Sequence, residues 1–334
     1  MSKKNLLLVL ETVLLLVLSS SPLSCGSSHA PSQATPRLTT SQRLDTGSPG
    51  LPLYCPVFLA LDQQGNIYVG DADYDKGAHR ARIAKLSPTG QLLSEWHVFT
   101  VFPPGRAWGP DGIAVDASGT IYAADGGDNT IKKLSPTGQV LATWGKKGSA
   151  PGELSWPEGV AVDAQGNVYV ADFYNSRIQK FSSTGTLLAV FGNAGSSTEQ
   201  LKNPVGLRVD DQGNVYVADL RNHRIVKFSA DGKFLVAWSQ ADSIPFSSAR
   251  DIAVDRERNI YVEDGRNQRL VKLSPTGQVL AIWKPSIFKD GMFGVVVDRQ
   301  ENVYVVSQTG TGSVVKLSPG GAILSIWPAS CHWS

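Results

Sequence analysis

With 334 residues, the chain is long enough to form one large domain around a substantial core. Its formal net charge of +2 is too small to argue for a polyanionic partner. Three cysteines, Cys25, Cys55 and Cys331, exclude a cysteine-rich zinc scaffold.

In chain order, residues 1–24 read as an export signal. Lys3 and Lys4 precede an apolar run over 6–18, interrupted only by Glu11 and Thr12 and too short for an ordinary membrane span. Ser24-Cys25-Gly26 after Leu23 resembles a bacterial lipoprotein processing site, in which Cys25 is lipidated and becomes the new N-terminus; Pro22 stands where that pattern places Leu. Ordinary cleavage after Ser28-His29-Ala30 and a retained anchor are the alternatives. Residues 25–52 are rich in Ser, Thr, Pro, Gln and Gly and have no periodic apolar face, the composition of a flexible tether. The expected location is the cell envelope, through a lipid anchor, or the medium.

Over 53–331 one unit recurs six times, most clearly at 157–192. Its residues 159–163, 168–172, 177–181 and 187–191 read as four short strands with a turn between each pair. Asp163, closing the first strand, has counterparts at Asp62, Asp116, Asp210, Asp255 and Asp298; the first interval is 54 residues and the later ones 47, 47, 45 and 43. Four strands per unit at this period predict an all-β chain, a six-bladed β-propeller of four-stranded antiparallel blades. The centre of the first strand is small in most blades (Ala60, Ala114, Ala161, Ala253), as the crowded axis requires, with Val296 in blade six and Arg208 in blade four. The second strand supplies Tyr68, Tyr122, Tyr169, Tyr216, Tyr261 and Tyr304, and the fourth Trp96, Trp144, Phe191, Trp238, Trp283 and Trp327, bulk for the wedge between diverging blades. Glycine-bearing turns such as Ser135-Pro136-Thr137-Gly138 join the third and fourth strands on one face, the bottom.

The motif GNVYVAD-x-x-N-x-RI-x-KF, at 166–181 and again at 213–228, resembles the NHL repeat, and the likeness extends over about 56–329. That resemblance implies a six-bladed propeller and leaves the function open, since such propellers include lyases, lactonases and binding modules. Blade six departs most, with Ser307 where the second strand should end in Asp.

Subtracting the repeated positions leaves residues on the opposite, top face: Phe99, Phe102, Arg106, Trp108, Trp156, Phe173, Tyr174, Arg221, His223, Arg250 and Arg266. Exposed aromatics with arginine on loops are typical binding anchors, though some of these rings would instead plug the crevices between blades. A non-catalytic module binding a protein, peptide or envelope glycan is the first expectation, as a monomer that needs no cofactor; export argues against a nucleic-acid partner. The alternative is a lyase or lactonase-type hydrolase with an axial metal. Asp111 and Glu158 sit at the axial mouth with Arg250 across the ring, but two carboxylates alone are too few for a hard cation and no histidine joins them. Asp71, Asp73 and Asp75 alternate like the start of a Ca²⁺ loop, with Arg82 where a closing Glu belongs. The recurring Asp172, Asp219 and Asp264 with Arg177, Arg224 and Arg269 read instead as structural pairs within blades. Finally, Cys55 precedes the first strand of blade one and Cys331 follows the last strand of blade six, at the one blade junction with no connecting peptide. In an oxidising compartment these two predict a disulfide.

Overall fold

In each repeat the period-two alternation is realised as a four-stranded antiparallel sheet, and six such sheets follow one another along the chain with their strands in sequence order. We describe them from a computed structural model, in which residues 53–73, 80–99, 101–102, 106–107 and 110–331 are described, those at 73, 80, 101, 102, 106 and 107 by backbone only. The export signal, Cys25 and the tether lie outside the described residues. All described residues belong to one compact unit, Leu44–Ser334.

The innermost strands are Cys55–Leu61, Gly112–Val115, Pro157–Val162, Pro204–Val209, Ala249–Val254 and Met292–Val297. Each packs against the inner strands of its two neighbours, the sixth against the first, so the sheets close into a ring. The expected small residues, with Arg208, line an axial cavity of about 210 Å³. Inner glycines allow adjacent backbones to meet there: a Cβ on Gly112 would stand 2.1 Å from the Glu158 carbonyl oxygen, and one on Gly159 2.2 Å from that of Val205.

The core is divided into six apolar clusters, each filling the space between two neighbouring blades, blades six and one included. All six second-strand tyrosines are buried in them, as expected of packing groups. The repeated aspartate explains itself: Asp163 accepts the N–H groups of Gln165 and Asn167 on one oxygen and the Asn167 amide and Tyr169 hydroxyl on the other. It fixes the first turn of every blade, with equivalents from Asp62 to Asp298. The predicted Asp–Arg pairs are present at 2.7 Å (Asp172–Arg177), 2.8 Å (Asp219–Arg224) and 2.6 Å (Asp264–Arg269). In blade six Ser307 donates its hydroxyl to the Ile287 carbonyl instead.

Ring closure uses two devices. The outer aromatic of each blade lies over the turn glycine of the next, from Trp96 on Gly138 round to Trp327 on Gly90. Trp327 also donates its indole N–H to the Thr89 carbonyl, as Trp96 does to that of Thr137. Cys55 and Cys331 are joined in the expected disulfide, their Cα atoms 4.6 Å apart, beside a parallel bridge between Leu53 and Ala329.

Candidate binding face and axial mouth

Every blade except the second breaks its own ladder just where the chain enters the ring. The inner strand of blade three loses register with the second strand between Pro157 and Val160, leaving Glu158 and Gly159 unpaired. Blade five does the same between Ala249 and Ile252, leaving Arg250 and Asp251. Such bulges turn side chains out of the alternating pattern, and Glu158 and Arg250, one from each bulge, lie close enough for the Arg250 charge to act on Glu158.

Burial dominates the electrostatics of this mouth. It pushes the Glu158 carboxyl up to about 7 against the opposing charge of Arg250. Burial, followed by the charge of Glu158, raises Asp111 well above the usual carboxylate range, although the Gly126 N–H donates to it at 2.9 Å. Two further carboxyls join them. Asp251 bonds Arg208 at 3.1 Å and accepts the Val295 N–H at 2.9 Å; burial still holds it above its usual range. Glu263 accepts the N–H groups of Arg250 and Asp251, and burial lifts it well above its ordinary value. Asp251 and Glu263 are wholly buried, and each keeps one oxygen, Oδ1 and Oε1, without a hydrogen-bond partner.

The sequence reading missed Asp251 and Glu263, although the repeat carries the signal. Asp251 occupies the position of Gly112, Gly159, Gly206 and Gly294, and Glu263 that of Gly70, Ala124, Ala171, Ala218 and Val306. Arg208, which replaces the inner alanine in blade four, is the partner of Asp251. These departures are coupled: a cation gained in one blade answers an anion gained in the next.

Outward from the mouth, Trp156 and the Asp111 carboxylate both lie against Gly126. The Trp156 ring meets Tyr174 edge-on at 6.1 Å, and Tyr174 meets Phe173 at 4.9 Å. Tyr174 is 63% exposed. Trp156 has a φ of 58°, a left-handed position that blades four, five and six fill with Asn203, Ser248 and Gly291. Holding a bulky residue there costs about 1–2 kcal/mol. Between blades five and six, Arg250, Arg266 and Lys289 line a crevice of about 220 Å³ with Phe293.

The other expected residues are dispersed. Phe99 is buried between blades one and two and packs there. Arg221 and His223 are exposed on blade four; His223, like Ser176 and Gln268, holds the left-handed position that ends its loop, with φ of 53°. Phe102 and Arg106 form a short hairpin with their neighbours, described by backbone only, and Trp108 lies outside the described residues. Asp71, expected at the head of a Ca²⁺ loop, has a structural partner of its own. It is buried in an ion pair with Arg82 at 2.8 Å and accepts the Tyr54 N–H, the role Asp172 plays in blade three. The Asp73 side chain and Asp75 lie outside the described part. Among the described residues, no group of three or more His, Cys, Asp or Glu side chains is gathered so as to hold a metal ion.

Six four-stranded blades in a closed ring define a six-bladed β-propeller. Residues 154–181 and 201–228, in blades three and four, match the NHL repeat. A streptogramin B lyase is similar in fold, with 13% identity, 84% of this chain and 85% of that chain covered, and a TM-score of 0.62. A catalytically inactive virginiamycin B lyase from Staphylococcus aureus with quinupristin shares 13% identity over 76% and 77%, with a TM-score of 0.55. A structure of the nidogen/laminin complex shares 19% over 82% and 93%, with a TM-score of 0.57. At these identities the likeness is one of fold. No curated protein matches the chain in sequence.

Proposed function

We propose that this chain is a non-catalytic binding module that takes a protein or peptide on its top face. The observation that carries this reading is Trp156: a tryptophan kept in a left-handed position at the rim of the mouth, where neighbouring blades use Asn, Ser or Gly. Backbone strain of this kind persists where a side chain serves something other than stability. Its neighbour Tyr174 offers an exposed ring, and tyrosine, tryptophan and arginine are the residues on which protein interfaces concentrate their energy. The nidogen/laminin complex, a propeller of similar fold, involves a protein partner. Export fits the Cys55–Cys331 disulfide, which suits an oxidising compartment, and lipidation at Cys25 would tether the module to a membrane.

The test is a random peptide display library panned against the chain, with the selected peptides measured on two variants. Trp156→Asn restores the residue type of blade four, so its melting temperature should stay level or rise while peptide binding is lost. Tyr174→Ala should weaken the same peptides with little change in stability. A collapse of the melting temperature in Trp156→Asn would make the ring a packing group and remove the main support for this reading. Selection of glycans but not peptides in a parallel array would transfer the face to a carbohydrate ligand.

A further inference from the structure

We propose that the crevice between blades five and six is a subsite for a carboxylate side chain of an acidic peptide segment, an inference that rests on the top-face reading above. Three cations line it: Arg250, Arg266 and Lys289. Among the described residues, none of the three makes an ion pair, and no side-chain hydrogen bond is formed by any of them. That contrasts with Arg82, Arg177, Arg208, Arg224 and Arg269, each held by a carboxylate of its own. Exposed Asp290 is the one acid among the lining residues, so the crevice carries an excess of positive charge in a chain close to neutral.

The geometry selects among anions. The Arg250 guanidinium lies over the Phe293 ring, 5.0 Å from its centroid, a cation–π contact that holds it in the crevice. A planar guanidinium fork matches a planar carboxylate through two parallel N–H···O bonds. Phe293 beside it gives the methylene groups of a glutamate an apolar contact. The volume, about 220 Å³, takes one side chain and not a run of sugar rings. Behind the crevice, Gly265 separates it from Glu263, whose Oε1 would be 2.4 Å from any Cβ at that position. Burial disfavours the charged form of Glu263, against the opposing charge of Arg250.

Fluorescence anisotropy of a labelled glutamate-rich peptide on the full chain tests the assignment, with its glutamine twin and inorganic phosphate as controls. The expected result is saturable binding that weakens about tenfold in Arg266→Ala and again in Lys289→Ala, the weight of one charge-assisted hydrogen bond each. The glutamine twin should not bind, and phosphate should displace the peptide only at far higher concentration. Both variants are exposed loop residues away from the axial carboxyls, so neither alters the charge that opposes Glu158. Binding unchanged in the double variant overturns the inference, and so does displacement by phosphate at the peptide's own concentration. If peptides selected on the top face bind the double variant normally, the carboxylate subsite falls and the top-face reading stands. If no peptide binds any form of the chain, both fall.

Discussion

Buried charge at the axial mouth makes two residues testable by themselves. Glu158 ordinarily titrates near 4.5 and is pushed up to about 7 by burial. Between those values the folded chain keeps a proton that the unfolded chain has released, so stability declines as pH rises through this window and levels off above it. The penalty is about 1.4 kcal/mol for each unit of displacement. Glu158→Gln should therefore raise the melting temperature at pH 8 and change it little at pH 4; an equal shift at both would assign the effect to packing. Asp251 and Arg208 form the second case. Asp251→Gly restores the residue of four other blades but leaves a half-buried guanidinium without its partner, and should cost about 3 kcal/mol in urea denaturation. Adding Arg208→Ala, the residue of most other blades, should recover most of that loss. A double variant as unstable as the single would show that Asp251 acts through the Val295 N–H and not through Arg208.

The repeated turn between the third and fourth strands serves two purposes that one glycine satisfies together. Gly138 has a φ of 85°, and a Cβ there would stand 1.8 Å from the Trp96 ring of the preceding blade. Gly166, in the turn between the first two strands, has nearly the same φ of 80° but meets nothing closer than 3.6 Å. The pair separates backbone strain from close approach. Gly166→Ala should cost about 1 kcal/mol, the left-handed penalty alone. Gly138→Ala must also displace an inter-blade tryptophan and should cost about 3 kcal/mol or more by chemical denaturation. Equal losses would mean that the Trp96 contact adjusts freely and contributes little to holding the blades together.

The ring as a whole is closed by the same aromatic–glycine contact at every junction and by one covalent link. Because each terminal blade is made of four consecutive strands of its own, no strand is exchanged to hold blade six against blade one. The Cys55–Cys331 disulfide closes a loop with a sequence separation of 276, which in the chain-entropy account is worth about 5 kcal/mol less any strain. Cys55→Ser with Cys331→Ser should lower stability by up to that amount. Amide exchange should accelerate first in blades one and six and leave blades three and four unchanged. Uniform acceleration round the ring would show that the disulfide acts on the unfolded chain alone and not on a local opening.

The fold was legible in the sequence because a repeat states its own solution six times. The period, the alternation within each unit and the graded side-chain size from alanine to tyrosine to tryptophan gave the blade number, strand order and packing roles. The positions of two cysteines gave the closure. What the sequence did not reveal was which departures from the repeat belong together. Asp251 and Glu263 fall in positions normally filled by glycine or small apolar residues, and only the ring brings Arg208 of the neighbouring blade against the first of them. Asp71 looked like a metal ligand by local spacing, yet strand pairing turns it onto Arg82, eleven residues away. Phe99 looked like a loop aromatic, yet the space between blades one and two absorbs it. Local pattern determines strands and turns, because backbone preferences and side-chain alternation are short-ranged. The pairing of buried charges was decided by the tertiary structure, because it depends on which strands and blades are brought side by side.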